Sequence, residues 1–191
     1  MSYETLVVRI RGIAPLICHN GQLVDPMNEF VRAIKKLTNK GKKKTDEDIA
    51  EIARLEFLGG LYVGDDGAPC VPGENIEAML IEAARKTRQG KDATAGVLSD
   101  GNWPIIYDGP KEPKNLWENT AFRKVCGARI GQSKVLRCRP MFRRWELEFQ
   151  VGYMPDVLNL ESLKEWIATA GRLIGLCDWK PKYGRFEIVS I

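Results

Sequence analysis

The segment Trp145-Glu146-Leu147-Glu148-Phe149-Gln150-Val151 alternates large apolar and polar side chains at every position. A period of two places the apolar set on one face of a strand and the polar set on the other. Such a strand needs an apolar layer on one side only, so helices are expected to cover that side. Downstream, Asn159 can cap a helix whose apolar stripe is Leu160, Leu163, Trp166, Ile167, Ala170, Leu173 and Ile174. Gly175 ends it, a loop from Asp178 to Lys182 follows, and residues 184–189 read as a last strand. Upstream, residues 122–130 and 134–139 read as a hairpin about Gly131-Gln132-Ser133. Within it Arg137 and Arg139 alternate with Leu136 and Cys138, so both arginines project from one face.

Further outward, Pro72-Gly73-Glu74-Asn75 opens a helix over 74–88, with Ile76, Met79, Leu80, Ala83 and Ala84 at helical spacing. Residues 5–12 read as a strand in which Leu6, Val8 and Ile10 alternate with Val7, Arg9 and Arg11. Two helices, 27–37 and 46–58, form a hairpin inserted at about 22–60; the second is capped by Thr45 or Asp46 and has the apolar face Ile49, Ile52, Ala53 and Phe57. Residues 61–71 read as a tight β-hairpin about Gly64-Asp65-Asp66-Gly67. A second insertion, 89–120, reads as loop apart from a short strand at Ile105-Ile106-Tyr107. Without the insertions the order is strand 5–12, helix 74–88, strands 122–130 and 144–152, helix 160–175 and strand 184–190. That is βαββαβ: an α+β, ferredoxin-like and RRM-like core in a single domain spanning 1–191.

Composition narrows the class. The chain has 191 residues, 44% hydrophobic and 28% charged, which fits a globular domain. Apolar runs are far shorter than a bilayer requires, and Arg9 and Arg11 interrupt the first of them, so neither a membrane segment nor a signal peptide is expected. Five scattered cysteines (Cys18, Cys70, Cys126, Cys138 and Cys177) without a CxxC pair suggest free thiols and a cytoplasmic setting. One histidine and no ligand cluster make a metal unexpected, and no motif asks for a cofactor. The net charge is +4, yet residues 123–144 hold eight cations and no acid, while the rest holds 21 basic and 25 acidic residues. A segment at +8 on an acidic background is a candidate polyanion surface, with a solvated face as the alternative.

The run Ala68-Pro69-Cys70-Val71-Pro72-Gly73-Glu74-Asn75-Ile76-Glu77-Ala78-Met79-Leu80 resembles the strand-to-helix signature of the RAMP superfamily. Glu74-Asn75 and Glu77-Ala78 stand where that family has serines and small polar residues. Arg9 to Leu16 is similar to the family's first strand, and Asp178 to Phe186 to its glycine-rich element, without the dense glycine run. With one such domain and large insertions, the chain looks more like the backbone subunits of CRISPR effector complexes than like two-domain processing nucleases. It also resembles uncharacterised phage and prophage proteins. The resemblance implies a single-strand-binding protein whose copies stack along the strand as a homo-oligomer or filament.

The residue-level candidates follow from that expectation. Phosphates are met by Arg123, Lys124, Arg129, Lys134, Arg137, Arg139, Arg143 and Arg144. Trp145 belongs to the core by its alternation, which leaves Phe142 as the ring for base stacking. Lys42, Lys43 and Lys44 add a second cationic loop, and Lys180, Lys182 and Arg185, interleaved with Trp179 and Tyr183, add a third. His19 is the candidate acid or base should the protein be a metal-independent endoribonuclease rather than a non-catalytic binder. A third reading is a phage assembly or decoy-subunit protein that works through protein contacts. RNA and DNA are not distinguished by these residues.

Overall fold

The computed structural model describes residues 2–130 and 133–191, with side chains omitted for 128–134. Along the chain run β1 (Glu4–Gly12), β2 (Leu16–Ile17), α1 (Glu29–Thr38), α2 (Asp46–Gly60), β3 (Cys70–Pro72), α3 (Gly73–Ala84), α4 (Gly90–Gly96), β4 (Val97–Leu98) and β5 (Asn102–Ile106). Then follow α5 (Pro113–Glu118), β6 (Arg123–Ile130), β7 (Ser133–Phe142), β8 (Glu146–Tyr153), α6 (Leu160–Thr169) and β9 (Phe186–Ser190). Among the described residues no helix is long and apolar enough to cross a membrane.

The alternating segment is β8, and it lies at the centre of the larger sheet. The order is β3-β5-β8-β1-β9, all neighbours antiparallel, with β4 also paired to β8. In register, Leu6 faces Val151, Val8 faces Phe149 and Ile10 faces Leu147, so both strands turn their apolar sets the same way. Ile76, Met79, Leu80 and Ala83 of α3, Leu163, Trp166 and Ile167 of α6, and Ala170 just beyond its end join that layer, all fully buried. The caps act as read: Asn159 accepts from the Ser162 N–H at 2.8 Å, and Thr45 with Asp48 forms a capping box at the start of α2. Trp145 is buried over Gly12, its indole N–H donating to the Ala14 carbonyl at 2.9 Å.

The opposite face of the sheet is polar. Glu146 takes Arg9 and Arg11 at 2.8 Å each, and these two guanidinium groups hold its carboxyl below the usual range, Arg11 contributing most. The outward positions of β1 and β8 (Thr5, Val7, Arg9, Arg11, Glu146, Glu148, Gln150 and Gly152) include no aromatic ring. The half-exposed Tyr3 ring lies at the end of this face, against Gly152.

Two expectations change. The strand expected at 122–130 is not beside β8. It is β6, paired with β7 in a separate three-stranded sheet of order β2-β7-β6. The place next to β8 is held by β5, with Ile105 opposite Leu147. The reason is charge: beside β8 one strand face is covered by helices, and β5 puts Ile105 there, whereas either face of residues 123–130 would bury a cation, Arg123 on one and Lys124 on the other. The insertion read as loop over 89–120 contains α4 and β4, and also α5 with its buried Leu116. Ala93 and Gly96 are buried there, and Gly96 abuts Val157 and Leu158. Helix contact made through alanine and glycine leaves little apolar periodicity to read.

Candidate nucleic-acid interface

Strands β6 and β7 make a hairpin arm. β7 touches β2 only at Phe142 and Met141, and elsewhere the two strands pair with each other. Opposite residues share a face, so Lys124, Cys126, Arg137 and Arg139 lie together, while Arg123, Val125, Gly127, Leu136 and Cys138 lie on the other side. Lys124 stands directly across from Arg139, a like-charge pairing that costs the ladder stability unless something compensates.

The root of the arm is built around two held guanidinium groups. Arg137 donates to Glu56 of α2, whose other oxygen accepts the Cys138 N–H at 2.8 Å. Glu56 is 7% exposed, so this carboxylate is removed from water and fully used. The Nε of Arg139 stands 3.2 Å from Asp178 Oδ2; the two are close enough for an ion pair but are not aligned for a hydrogen bond. The Arg139 guanidinium also lies 5.6 Å from the centre of the Trp179 ring. Cys177 and Trp179 flank Asp178 with φ of 62° and 55°, a left-handed backbone that disfavours side-chain-bearing residues. The Asp178 N–H donates to the Ile17 carbonyl at 3.0 Å, which ties this strained tail to the loop bearing His19.

His19, Arg137 and Arg139 line one cavity of about 260 Å³ with Glu56 and the aliphatic Leu23, Val31 and Ile34. The His19 carbonyl is fixed by the Tyr62 hydroxyl at 2.9 Å, while its Nδ1 is buried with no hydrogen-bond partner among the described residues. Burial and then the Arg139 charge lower the pKa of His19; Asp178 opposes them and Arg137 adds to the fall. The ring is therefore neutral at neutral pH, an acceptor or base rather than a cation.

This shift has a measurable consequence. The folded chain binds the histidine proton less readily than the unfolded chain. The stabilising contribution is complete above the ordinary value of about 6.5 and declines as pH falls from there toward the lowered value. Urea midpoints are expected to drop between neutral pH and mild acid, and to drop less in His19→Asn; identical profiles would contradict this assignment.

The other predicted residues are distributed differently. Arg123 is structural: its Nε donates to the Trp117 carbonyl at 2.5 Å and its guanidinium lies 3.7 Å over the Trp117 ring. Phe142 is not a stacking ring. It is 1% exposed, with ring centres of Tyr107 and Phe122 at 4.8 and 5.8 Å, so the apolar bend around it is core. Arg143 and Arg144 are exposed in the turn before β8, and Lys124 is half-buried. Arg129 and Lys134 lie outside the residues whose side chains are described. Lys42 and Lys43 are exposed and Lys44 half-buried in the connection between α1 and α2. In the tail, Lys180 pairs with Glu82 at 2.7 Å, Arg185 donates to the Pro181 carbonyl at 2.7 Å, and the Lys182 ammonium is 5.7 Å from the Tyr183 ring.

Sequence reading missed Glu56, Asp178 and the aliphatic wall. Glu56 had a signal: it falls on the apolar stripe of α2 with Ile49, Ile52, Ala53 and Phe57, where a carboxylate needs a buried partner. The Cys18, Cys70 and Cys138 thiols are held in their protonated form. Burial raises Cys70 and Cys138 to about 11, and Cys18, beside Cys177 and fully buried, lies well above its ordinary value. Among the described residues no group of three His, Cys, Asp or Glu side chains is placed to hold a metal ion. No family model matches the chain, and a search of curated proteins finds no significant relative.

Proposed function

We propose that this chain binds single-stranded nucleic acid through the basic hairpin arm and the pocket at its root, without cleaving it. The observation that carries the reading is the pair Arg137 and Arg139, kept on one face of an acid-free segment and held by Glu56 and Asp178. Cations arranged in this way favour the phosphate backbone irrespective of sequence. Support for a ferredoxin-like, RAMP-like core comes from the order β5-β8-β1-β9, with α3 and α6 packed on one face. In this reading β5 takes the role first given to residues 122–130, and the hairpin arm is an insertion before β8. Copies stack along the bound strand as a homo-oligomer, in a cytoplasmic setting.

The exposed cations provide the test. Lys124→Glu/Arg143→Glu/Arg144→Glu leaves Glu56 and Asp178 paired, so the fold is retained. Loss of three phosphate contacts is expected to flatten the log K against log salt line by about 2 and to weaken low-salt binding at least about tenfold. A triple variant with the parent's slope would contradict the assignment of the arm.

One arrangement favours a second reading, metal-independent cleavage of RNA. A neutral His19 shares its cavity with two guanidinium groups, a combination able to accept a proton and to stabilise a charged phosphorane. If this reading holds, the parent cleaves RNA and His19→Ala does not. Equal cleavage by both, or none by the parent, removes it.

A further inference from the structure

The cavity beside the arm has two chemically different walls. One is aliphatic: Leu23, with Val31 and Ile34 one turn apart on α1. None of the three is fully buried, and α1 buries no residue at all despite its amphipathic sequence. Its apolar face is thus left partly open toward the cavity. The other wall is charged: Arg137 and Arg139, the first paired with Glu56, which lines the same wall, and the second beside Asp178. His19 also lines the cavity, and its buried Nδ1 has no hydrogen-bond partner among the described residues. A buried polar atom without a partner is costly, and a ligand that pairs with it relieves that cost.

Resting on the nucleic-acid reading above, we propose that this cavity takes one nucleotide, its base against Leu23, Val31 and Ile34 and its phosphate on Arg137 and Arg139. A free phosphate would leave the aliphatic wall unused, and a neutral apolar ligand would leave unused the guanidinium N–H donors that Glu56 and Asp178 do not take. A nucleoside phosphate satisfies both, and the edge of its base or a sugar hydroxyl supplies the partner that His19 lacks. The volume of about 260 Å³ suits one unit and not a longer stretch of strand. The arm then supplies attraction independent of sequence, and the cavity supplies recognition of a single residue.

Methyl NMR on the full chain tests this, with 5′-UMP, 5′-AMP, uridine, adenosine and inorganic phosphate as separate probes. The mononucleotides are expected to shift the Leu23, Val31 and Ile34 methyls at concentrations at least about tenfold below those needed with nucleoside or phosphate alone. Ile34→Trp fills the cavity and is expected to lower mononucleotide affinity at least about tenfold while salt-dependent oligonucleotide binding persists. Val31→Trp, on the same wall, serves if Ile34→Trp does not fold. Parent-like mononucleotide affinity in the filled variant, or equal shifts with phosphate alone, overturns the pocket and leaves the arm standing. A parent that binds no oligonucleotide overturns the arm, and the mononucleotide titration still decides the pocket.

Discussion

Glu56→Ala is expected to destabilise the chain by about 3 kcal/mol, the lower end for breaking a buried ion pair. The substitution strands two groups at once. The Arg137 guanidinium loses its carboxylate, and the Cys138 N–H loses its acceptor. The lower figure is the right one because the Arg137 side chain is 31% exposed and water can partly replace the lost partner. Glu56→Gln keeps an acceptor for the Cys138 N–H and is expected to cost less. Adding Arg137→Met to Glu56→Ala is expected to recover part of the loss, because the unpaired charge is then gone. Chemical denaturation of the four proteins checks this, and a Glu56→Ala chain as stable as the parent would contradict the anchoring role.

Gly184→Ala is expected to cost about 3–4 kcal/mol, among the largest single-residue effects in the molecule. Gly184 has φ of +72°, and a Cβ there would stand 2.0 Å from the Leu176 carbonyl oxygen. The first costs a β-carbon about 1–2 kcal/mol, and the second forces backbone to move against backbone. There is little freedom for that movement. The Gly184 N–H donates to the Pro15 carbonyl at 2.8 Å and its own carbonyl accepts from the Leu176 N–H at 2.9 Å. These bonds tie the tail to the β1–β2 connection and to the end of the last helix. Because the tail also carries Asp178 and Trp179 to Arg139, the effect reaches the binding face. A midpoint shift in thermal unfolding below that of an ordinary surface substitution would contradict the constraint.

What was legible follows physical rules. The period-two run at Trp145–Val151 and the stripe from Leu160 to Ile174 needed only their own neighbours to be read, and β8 and α6 lie where those patterns put them. Arg137 and Arg139 on one face followed from strand alternation alone. Strand pairing is not local. Residues 123–130 have the length and composition of a strand, but whether they join β8 or fold back on β7 depends on the cost of covering their charges. Ile105 alone could not announce that β5 takes that place, since its neighbours Pro104 and Ile106 blur the period. Phe142 illustrates the converse: basic neighbours suggested a ligand-facing ring, and contacts with Tyr107 and Phe122, distant in sequence, place it in the core. The pocket needed four separate segments to meet, so of its lining only His19, Arg137 and Arg139 could be listed beforehand.

The central claim is that the arm binds single strands through phosphate contacts. Anisotropy of short labelled single-stranded RNA, single-stranded DNA and duplex DNA across a salt series tests it most directly, with light scattering on the same samples. The account predicts single-strand binding tighter than about 10⁻⁴ M at low salt, weakening steeply as salt rises, with a mass that grows with strand length. Affinity weaker than about 10⁻⁴ M for every nucleic acid at low salt, with a mass that never changes, would contradict it.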